Sequence, residues 1–412
     1  MANTLTIENK SSFYQDIVLK FLSKMEKGTL YLTLPDGEQI TIGNGESGMA
    51  ANITVNSDEF YKRCILYGDI GFGESYVDGL WDTDNITHVI NWVLLNIDNA
   101  PGVSGSKIQT LSLNLLKLYN KVSHFKRANT IEGSRKNISE HYDLNNDFFA
   151  SFLDPTMTYS AAYFYKDGLS LEEAQLAKYE RLCRQLHLKE SDHVLEIGSG
   201  WGGNAIYMAK KYGCRVTSLT ISEEQHKLAV ERVEAEGLSG RVKILLQDYR
   251  QMEGTFDKIV SVEMLEAVGF NFMDVYFKKC HDLLKKNGIL AIQVITSPDS
   301  RYEALRKGVD WIQKHIFPGS LLPSVGAINS SINRTGDMTL VDLKDIGLDY
   351  AKTLKLWYDA FNANLGKVKS LGFDETFIRK WNYYLCYCES AFAMRNINVM
   401  HLVYSRPNNT SR

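Results

Sequence analysis

The sequence predicts an α/β protein: a Rossmann-like, mostly parallel sheet preceded by a smaller N-terminal α/β domain. Two observations carry this. From residue 192 onward, strand-like apolar runs alternate with helical patterns, the signature of right-handed crossovers between parallel strands. The first of those runs ends in a glycine-rich turn that opens a helix, where parallel sheets hold their ligands. A chain of 412 residues also exceeds what one small core requires, so two domains are expected.

The N-terminal elements follow from local patterns. Phe13, Ile17, Phe21, Leu22 and Met25 recur at helical spacing, with Ser12 and Gln15 as a capping box. Tyr31–Leu34 and Gln39–Ile42 flank Pro35-Asp36-Gly37, which predicts a hairpin. Further apolar helices are expected through residue 97. Pro101-Gly102 and Ser104-Gly105-Ser106 then break structure, and an amphipathic stretch runs from Ile108 to Val122. Between residues 117 and 136 six Lys or Arg residues face a single acid, Glu132. That stretch reads either as a solvated helix and linker or as a patch for anionic lipid headgroups, each basic residue contributing up to ~1 kcal/mol there.

In the C-terminal part the expected strands are 193–197, 215–220, 242–246, 258–262 and 289–295. The expected helices between them are 203–212, 223–236 and 271–286. No internal repeat or low-complexity tract is evident.

Composition narrows the class. A formal net charge of −3 argues against a general nucleic-acid binder. The six cysteines are scattered without a CxxC pair, so neither a metal site nor a disulfide framework is expected, and a reducing compartment is. Residues 1–8 carry no basic and apolar pattern, so a signal peptide is not expected, and no apolar run approaches the ~20 residues that span a bilayer. A cytoplasmic protein is expected, one able to touch a membrane surface.

The run Val194-Leu195-Glu196-Ile197-Gly198-Ser199-Gly200-Trp201-Gly202-Gly203 sits where a buried strand becomes a helix. Gly198 and Gly200 let the backbone turn sharply and approach a ligand without a Cβ clash. Glu196 suits a positively charged amino group or a ribose hydroxyl. The spacing is GxGxGG rather than the dinucleotide GxGxxG, and Thr220 ends the second strand where a nicotinamide enzyme places an acid. This favours S-adenosylmethionine over NAD, a purely structural tight turn being the remaining alternative. At the third strand end, Gln247-Asp248-Tyr249-Arg250 offers an amide, a carboxylate and an aromatic face for an adenine, or else a turn with a core tyrosine.

These residues and several further motifs resemble one family. His141-Tyr142-Asp143-Leu144-x-x-Asp147-Phe148-Phe149, Leu153-Asp154-Pro155-Thr156-Met157-Thr158-Tyr159-Ser160 and Glu263-Met264-Leu265-Glu266-Ala267-Val268-Gly269 stand beside the glycine loop. With Ile316-Phe317-Pro318-Gly319 and Leu322-Pro323-Ser324 they make the chain similar to cyclopropane-fatty-acyl-phospholipid synthases and mycolic-acid cyclopropane synthases over nearly all of residues 138–406. The resemblance implies an S-adenosylmethionine-dependent class I methyltransferase domain over 138–412. It implies a lipid-binding-type domain over 1–100, and a basic linker or helix over 101–137.

What the resemblance implies about the site can be written residue by residue. S-adenosyl-L-methionine would contact Tyr159, Ser160, the loop of Glu196, Gly198, Gly200, Trp201 and Gly202, then Thr220, Gln225, Asp248 and Tyr249. Family members transfer a methyl group to a cis double bond of an acyl chain in a phospholipid; the resulting cation loses a proton and closes a cyclopropane. Aromatic side chains steady such a cation, and a bound bicarbonate removes the proton. The family's bicarbonate cage maps onto Glu266, Ile295 and Tyr358. It departs at Ala161, where a cysteine is expected, and at Gln293, where a histidine is. Glu266, Tyr358, Gln293 and Cys388 are the expected catalytic residues, although Cys388 reads more readily as a buried apolar thiol. A carboxylate flanked by Met264, Leu265 and Val268 is costly to bury, which marks Glu266 as a site residue.

The implied partner is unsaturated phospholipid, met by peripheral contact at the inner face of the membrane. No nucleic acid is expected, and the family's habit of dimerising leaves a homodimer open. Two other reactions compete: methylation of the acyl chain without ring closure, which the altered cage motivates, and methylation of a small amine or other metabolite. A non-catalytic lipid-binding protein of the same fold is the third class, disfavoured by the intact glycine loop and Glu266.

Overall fold

A computed structural model describes residues 13–46, 48–98 and 144–410. The basic stretch 101–137, the Ser12 half of the first helix cap and His141–Asp143 of the first family motif lie outside the described residues. The chain divides into two compact units, residues 1–119 with 374–390 and residues 120–373 with 391–412.

In the first unit, α1 (Phe13–Leu22) precedes the expected hairpin of β1 (Thr29–Thr33) and β2 (Gln39–Ile42), antiparallel with Leu32 opposite Ile40. The stretch after the hairpin is not all helix. β3 (Ala50–Val55) pairs parallel to β1, burying Ala51, Ile53 and Val55 at alternate positions, a two-residue period that predicts a half-buried strand. Then come α2 (Glu59–Val77), bent at Gly68, β4 (Trp81–Asp82) and α3 (Ile86–Leu95), giving the sheet order β2-β1-β3-β4. Residues 375–390 of the helix Glu375–Ala393 complete this unit. Its Arg379 donates to the carbonyls of Tyr76 (2.7 Å) and Trp81 (3.0 Å) and to Asp82 (2.8 Å), with its guanidinium 4.1 Å from the Tyr76 ring centre.

The second unit is the Rossmann-like sheet. In chain order it comprises α4 (Leu171–Leu186), β5 (His193–Ile197), α5 (Gly203–Tyr212), β6 (Arg215–Thr220), α6 (Glu223–Ala235), β7 (Val242–Leu246), β8 (Phe256–Val262), α7 (Met273–Leu283) and β9 (Leu284–Thr296). β10 (Thr339–Asp345), α8 (Gly347–Ala363) and β11 (Asn398–Ser405) follow. The strand order is β10-β11-β9-β8-β5-β6-β7. The five strands from β5 to β9 are parallel, whereas β11 and β10 add an antiparallel edge.

The central strands are buried on both faces, as a sheet covered by helices demands. Leu195, Ile197, Ile259 and Leu290 enter one apolar core; Val194, Val216, Val260 and Ala291 enter the other. Strand order reverses at β5, with β6 and β7 on one side and β8 and β9 on the other. The crevice at the carboxyl ends of β5 and β8 is therefore the switch point where such sheets bind ligands. The expected helix over 271–286 ends sooner, at Leu283, because Leu284 already pairs with Phe256 in the sheet.

Candidate active site

Two groups of side chains converge on this crevice. The first is the glycine loop after β5. Gly198, Gly200 and Gly202 all have positive φ, at 97°, 49° and 85°. At Gly198 a side chain would also meet Met264 at 3.3 Å, so the turn after β5 and the segment after β8 touch only because this position is bare. A Cβ on Gly200 would meet nothing within 4 Å, so this backbone fronts open space. Gly202 begins α5 without any side-chain cap, which leaves the first N–H groups of a ten-residue helix for a ligand.

Glu196 supports the loop from beneath. It is 2% exposed, and its carboxylate accepts from Asn204 Nδ2 (2.8 Å) and Ser218 Oγ. Burial pushes its pKa up to about 7. Those bonds tie β5 to β6 and α5, and brace the carboxylate that was expected to meet an amino group or a ribose hydroxyl. Thr220 and Gln225 are both buried and bonded to one another, Oγ1 to Oε1, at 2.9 Å. Asp248 caps the turn after β7 and forms a two-pronged pair with Arg250 (2.8 and 2.6 Å); the guanidinium in turn lies 5.5 Å from the Tyr249 ring. Asp248 thus fixes Arg250 and Tyr249 at the strand end where an adenine was expected.

Trp201 donates from Nε1 to Asn146 Oδ1 at 2.7 Å, and its ring lies 5.0 Å from Phe149. Phe149 meets Tyr159 at 5.3 Å, and Tyr159 meets Trp357 of α8 at 5.2 Å. An aromatic wall therefore joins the segment before α4, the glycine loop and α8. Arg232 of α6 was not foreseen: its guanidinium donates to the carbonyls of Trp201 (2.7 Å), Thr156 (3.0 Å) and Pro155 (3.3 Å). Ser160, 4% exposed, accepts from Lys178 Nζ at 2.6 Å. Lys178 is completely buried, and that burial lowers its pKa to about 7 against the pull of Glu263 and Asp154.

The second group is a pair of carboxylates on the segment after β8. Glu266 is 8% exposed; Oε1 accepts from the Ile295 N–H at 2.5 Å, and Oε2 is buried without a hydrogen-bond partner. Burial first, and the charge of Glu263 second, push its pKa up to about 8. Glu263, which the sequence did not single out, has a φ of 48°. Its Oε1 accepts from the Ala161 N–H (2.9 Å) and from Gln293 Nε2 (2.7 Å). The other amide hydrogen of Gln293 goes to the Ala161 carbonyl at 3.1 Å, while its Oε1 accepts from His401 Nε2 at 2.7 Å. His401 is wholly buried, and desolvation holds its pKa well below the usual imidazole value. A carboxylate three residues before Glu266 could have flagged Glu263; His401 lies 108 positions from Gln293 and carries no local signal.

Three of the donors expected to hold bicarbonate are thus taken up inside the protein. The Ala161 N–H and the Gln293 amide serve Glu263, and the Ile295 N–H serves Glu266. A bicarbonate anion does not fit these three donors, because each already faces a carboxylate of the chain and a further anion would meet the negative charge that the pair carries. Tyr358 is half-buried on α8, with the Lys355 ammonium 5.7 Å from its ring centre. Cys388 is half-buried on the part of Glu375–Ala393 that belongs to the first unit.

Comparison with known proteins identifies the family. The family model for mycolic acid cyclopropane synthetase matches residues 130–402. The cyclopropane-fatty-acyl-phospholipid synthase of Escherichia coli K12 is 39% identical over 386 residues, 91% of this chain and 95% of that one. The tuberculostearic acid methyltransferase UfaA1 of Mycobacterium tuberculosis is 39% identical over 350 residues, 83% of this chain and 80% of its own. Among solved structures, mycolic acid cyclopropane synthase CmaA1 in complex with SAH and CTAB superposes with a TM-score of 0.61 at 31% identity, covering 66% of this chain and 98% of that one. The uncapped helix start, the positive-φ glycines and the open face of Gly200 fit S-adenosylmethionine, and the chain belongs to the mycolic acid cyclopropane synthetase family as an S-adenosylmethionine-dependent methyltransferase.

Proposed function

We propose that the chain methylates the cis double bond of unsaturated acyl chains in phospholipids and closes a cyclopropane ring there. The observation that carries this reading is the pair of carboxylates beside the cofactor loop, Glu266 buried and Glu263 half-buried: methylating an alkene leaves a cation that a base must then deprotonate. The 39% identity to a cyclopropane-fatty-acyl-phospholipid synthase along 95% of that protein supports the substrate class.

S-adenosylmethionine supplies an electrophilic methyl group. The glycine loop and the start of α5 would hold its polar end, with Thr220 and Gln225 beside them and Asp248 and Tyr249 at the adenine side. Tyr159 and Ser160, fixed by Gln175 and Lys178, would close over it. An alkene is a weak nucleophile, so rate depends on holding it at near-attack distance, and rigid aromatic walls such as Phe149–Tyr159–Trp357 do that while excluding water. The same faces stabilise positive charge in the chain. Two carboxylates this close do not both ionise readily, so the pair keeps a proton on one member and leaves the other as a base.

Among the described residues no helix is long and apolar enough to cross a membrane. The lipid is proposed to be met from the cytoplasmic face by peripheral contact. The test is purified protein with methyl-labelled S-adenosylmethionine and vesicles of a monounsaturated phospholipid. Label in the lipid, with a mass gain of one CH2 and resistance to hydrogenation, is the expected result. Label that never enters the lipid would end the proposal. A product that takes up hydrogen would favour methylation without ring closure, the second reading, to which the relative named a tuberculostearic acid methyltransferase lends weight.

A further inference from the structure

We infer that Glu263 is the group that removes the ring-closing proton, its carboxylate standing where a bound bicarbonate would otherwise act. The inference rests on the acyl-chain reading above. Three observations on different parts of the site lead to it.

The first is the donor set. The Ala161 N–H and the Gln293 amide converge on Glu263 Oε1 at 2.9 and 2.7 Å. Gln293 cannot rotate away, because its own oxygen accepts from His401 Nε2 at 2.7 Å and its second hydrogen is bonded to the Ala161 carbonyl. A neutral histidine donating from Nε2 therefore fixes an amide that in turn fixes the carboxylate. Gln293 and His401 are positioning residues, 1% and 0% exposed.

The second is backbone strain. Glu263 is a non-glycine residue at φ 48°, immediately after β8, with its own N–H bonded to the Gln293 carbonyl at 2.8 Å. Non-glycine side chains avoid this region, and where they adopt it the surroundings hold them there, commonly at working sites. A glycine would relieve the strain, so the side chain is present for something other than the turn.

The third is the contrast with Glu266. Burial raises the Glu263 carboxyl above its ordinary value, but the charge of Lys178 and hydrogen bonds from Ala161, Gln293 and Tyr350 all pull the other way, toward the ionised form. Glu266 has one backbone N–H and a buried oxygen with no partner, so it is the member that keeps the proton. The groups facing Glu263 across the site are thus Lys178, Glu266 and Tyr350, with His401 behind Gln293.

In the step itself, one C–H bond of the newly added methyl breaks. Its electron pair forms the second carbon–carbon bond of the ring, cancelling the positive charge on the neighbouring carbon, and the proton passes to the Glu263 carboxylate. Release of the product returns that proton to solvent.

Full-length Glu263→Gly and Glu263→Gln chains test this against wild type on the same phospholipid vesicles. Glycine tolerates the positive φ, so Glu263→Gly is expected to stay folded and keep the wild-type calorimetric affinity for S-adenosylmethionine, with a melting temperature lowered by the loss of the acceptor for the Ala161 N–H and the Gln293 amide. Ring formation should fall roughly 100-fold or more in both variants, the usual weight of a general base. Added formate or bicarbonate should restore ring formation at least about ten-fold in Glu263→Gly alone, since only that variant has room for a small carboxylate beside Ala161 and Gln293. Ring formation near the wild-type rate in either variant would overturn the inference, as would a wild-type enzyme that needs added bicarbonate. A Glu263→Gly chain that binds cofactor normally and gains nothing from formate would overturn it too. A wild type that never labels the lipid would instead reject the acyl-chain reading, which keeps the two failures apart.

Discussion

Glu266 carries a proton in the folded protein at a pH where the unfolded chain has lost it. Its pKa rises from an ordinary 4.5 to about 8 on folding. Between those values the native state binds more protons than the unfolded one, so this contribution is fully present below pH 4.5 and is lost as pH rises through 8. Its size is on the order of a few kcal/mol. Glu266→Gln removes the titration while keeping the shape. The variant's unfolding free energy, minus that of wild type, should therefore climb as pH rises from about 5 to 8, as read from urea midpoints at each pH. Parallel curves would show that Glu266 is ionised in the native protein. The sequence marks Glu266 because an acid among apolar neighbours is costly to bury. Glu263 offers only its spacing to Glu266 as a clue and His401 offers none, because their meaning comes from a positive φ and from a partner strand 108 positions away.

At the scale of elements, the parallel strands were legible because burial on both faces writes continuous apolar runs. Strands β5, β6 and β7 have the expected limits, and α5 does too. β3 and the antiparallel edge were not named. β10 is mostly exposed or half-buried along its length and so lacks an apolar run. Arg232 is equally unreadable from sequence, since it acts on carbonyls rather than on side chains. It joins α6 to the carbonyls of Thr156 and Trp201, and so holds the Tyr159–Ser160 segment against the glycine loop. Arg232→Met keeps the apolar stem but leaves those carbonyls without their charged donor, a loss of about 1.5–3 kcal/mol. S-adenosylmethionine should then bind roughly 10-fold or more weaker by calorimetry, the helical circular dichroism staying unchanged. Wild-type affinity in this variant would mean that the two segments reach their positions without it.

At the scale of the whole molecule, the boundary expected near residue 138 cuts across a unit that the chain builds from both of its ends. Residues 375–390 belong with the N-terminal sheet, and Trp381, Tyr383 and Tyr384 on that stretch are 2%, 1% and 1% exposed. Tyr383 stacks on Tyr76 at 5.8 Å, and Arg379 is bonded to Tyr76, Trp81 and Asp82. A chain cut to residues 138–412 keeps the helix and loses every one of those partners. Buried aromatics cover about 150–250 Å² each, so three of them expose roughly 500 Å². That is as large as the biggest apolar patch a soluble monomer ordinarily shows. The truncated chain should therefore bind a hydrophobic dye and self-associate in light scattering, under conditions where the full chain does neither. Arg379→Ala in the full chain, which removes the bonds but not the apolar partners, should lower the melting temperature by several degrees without dye binding. A truncated chain that stays dye-free and no more associated than the full protein would show that the helix needs no N-terminal sheet, and that the catalytic fold is independent of it after all.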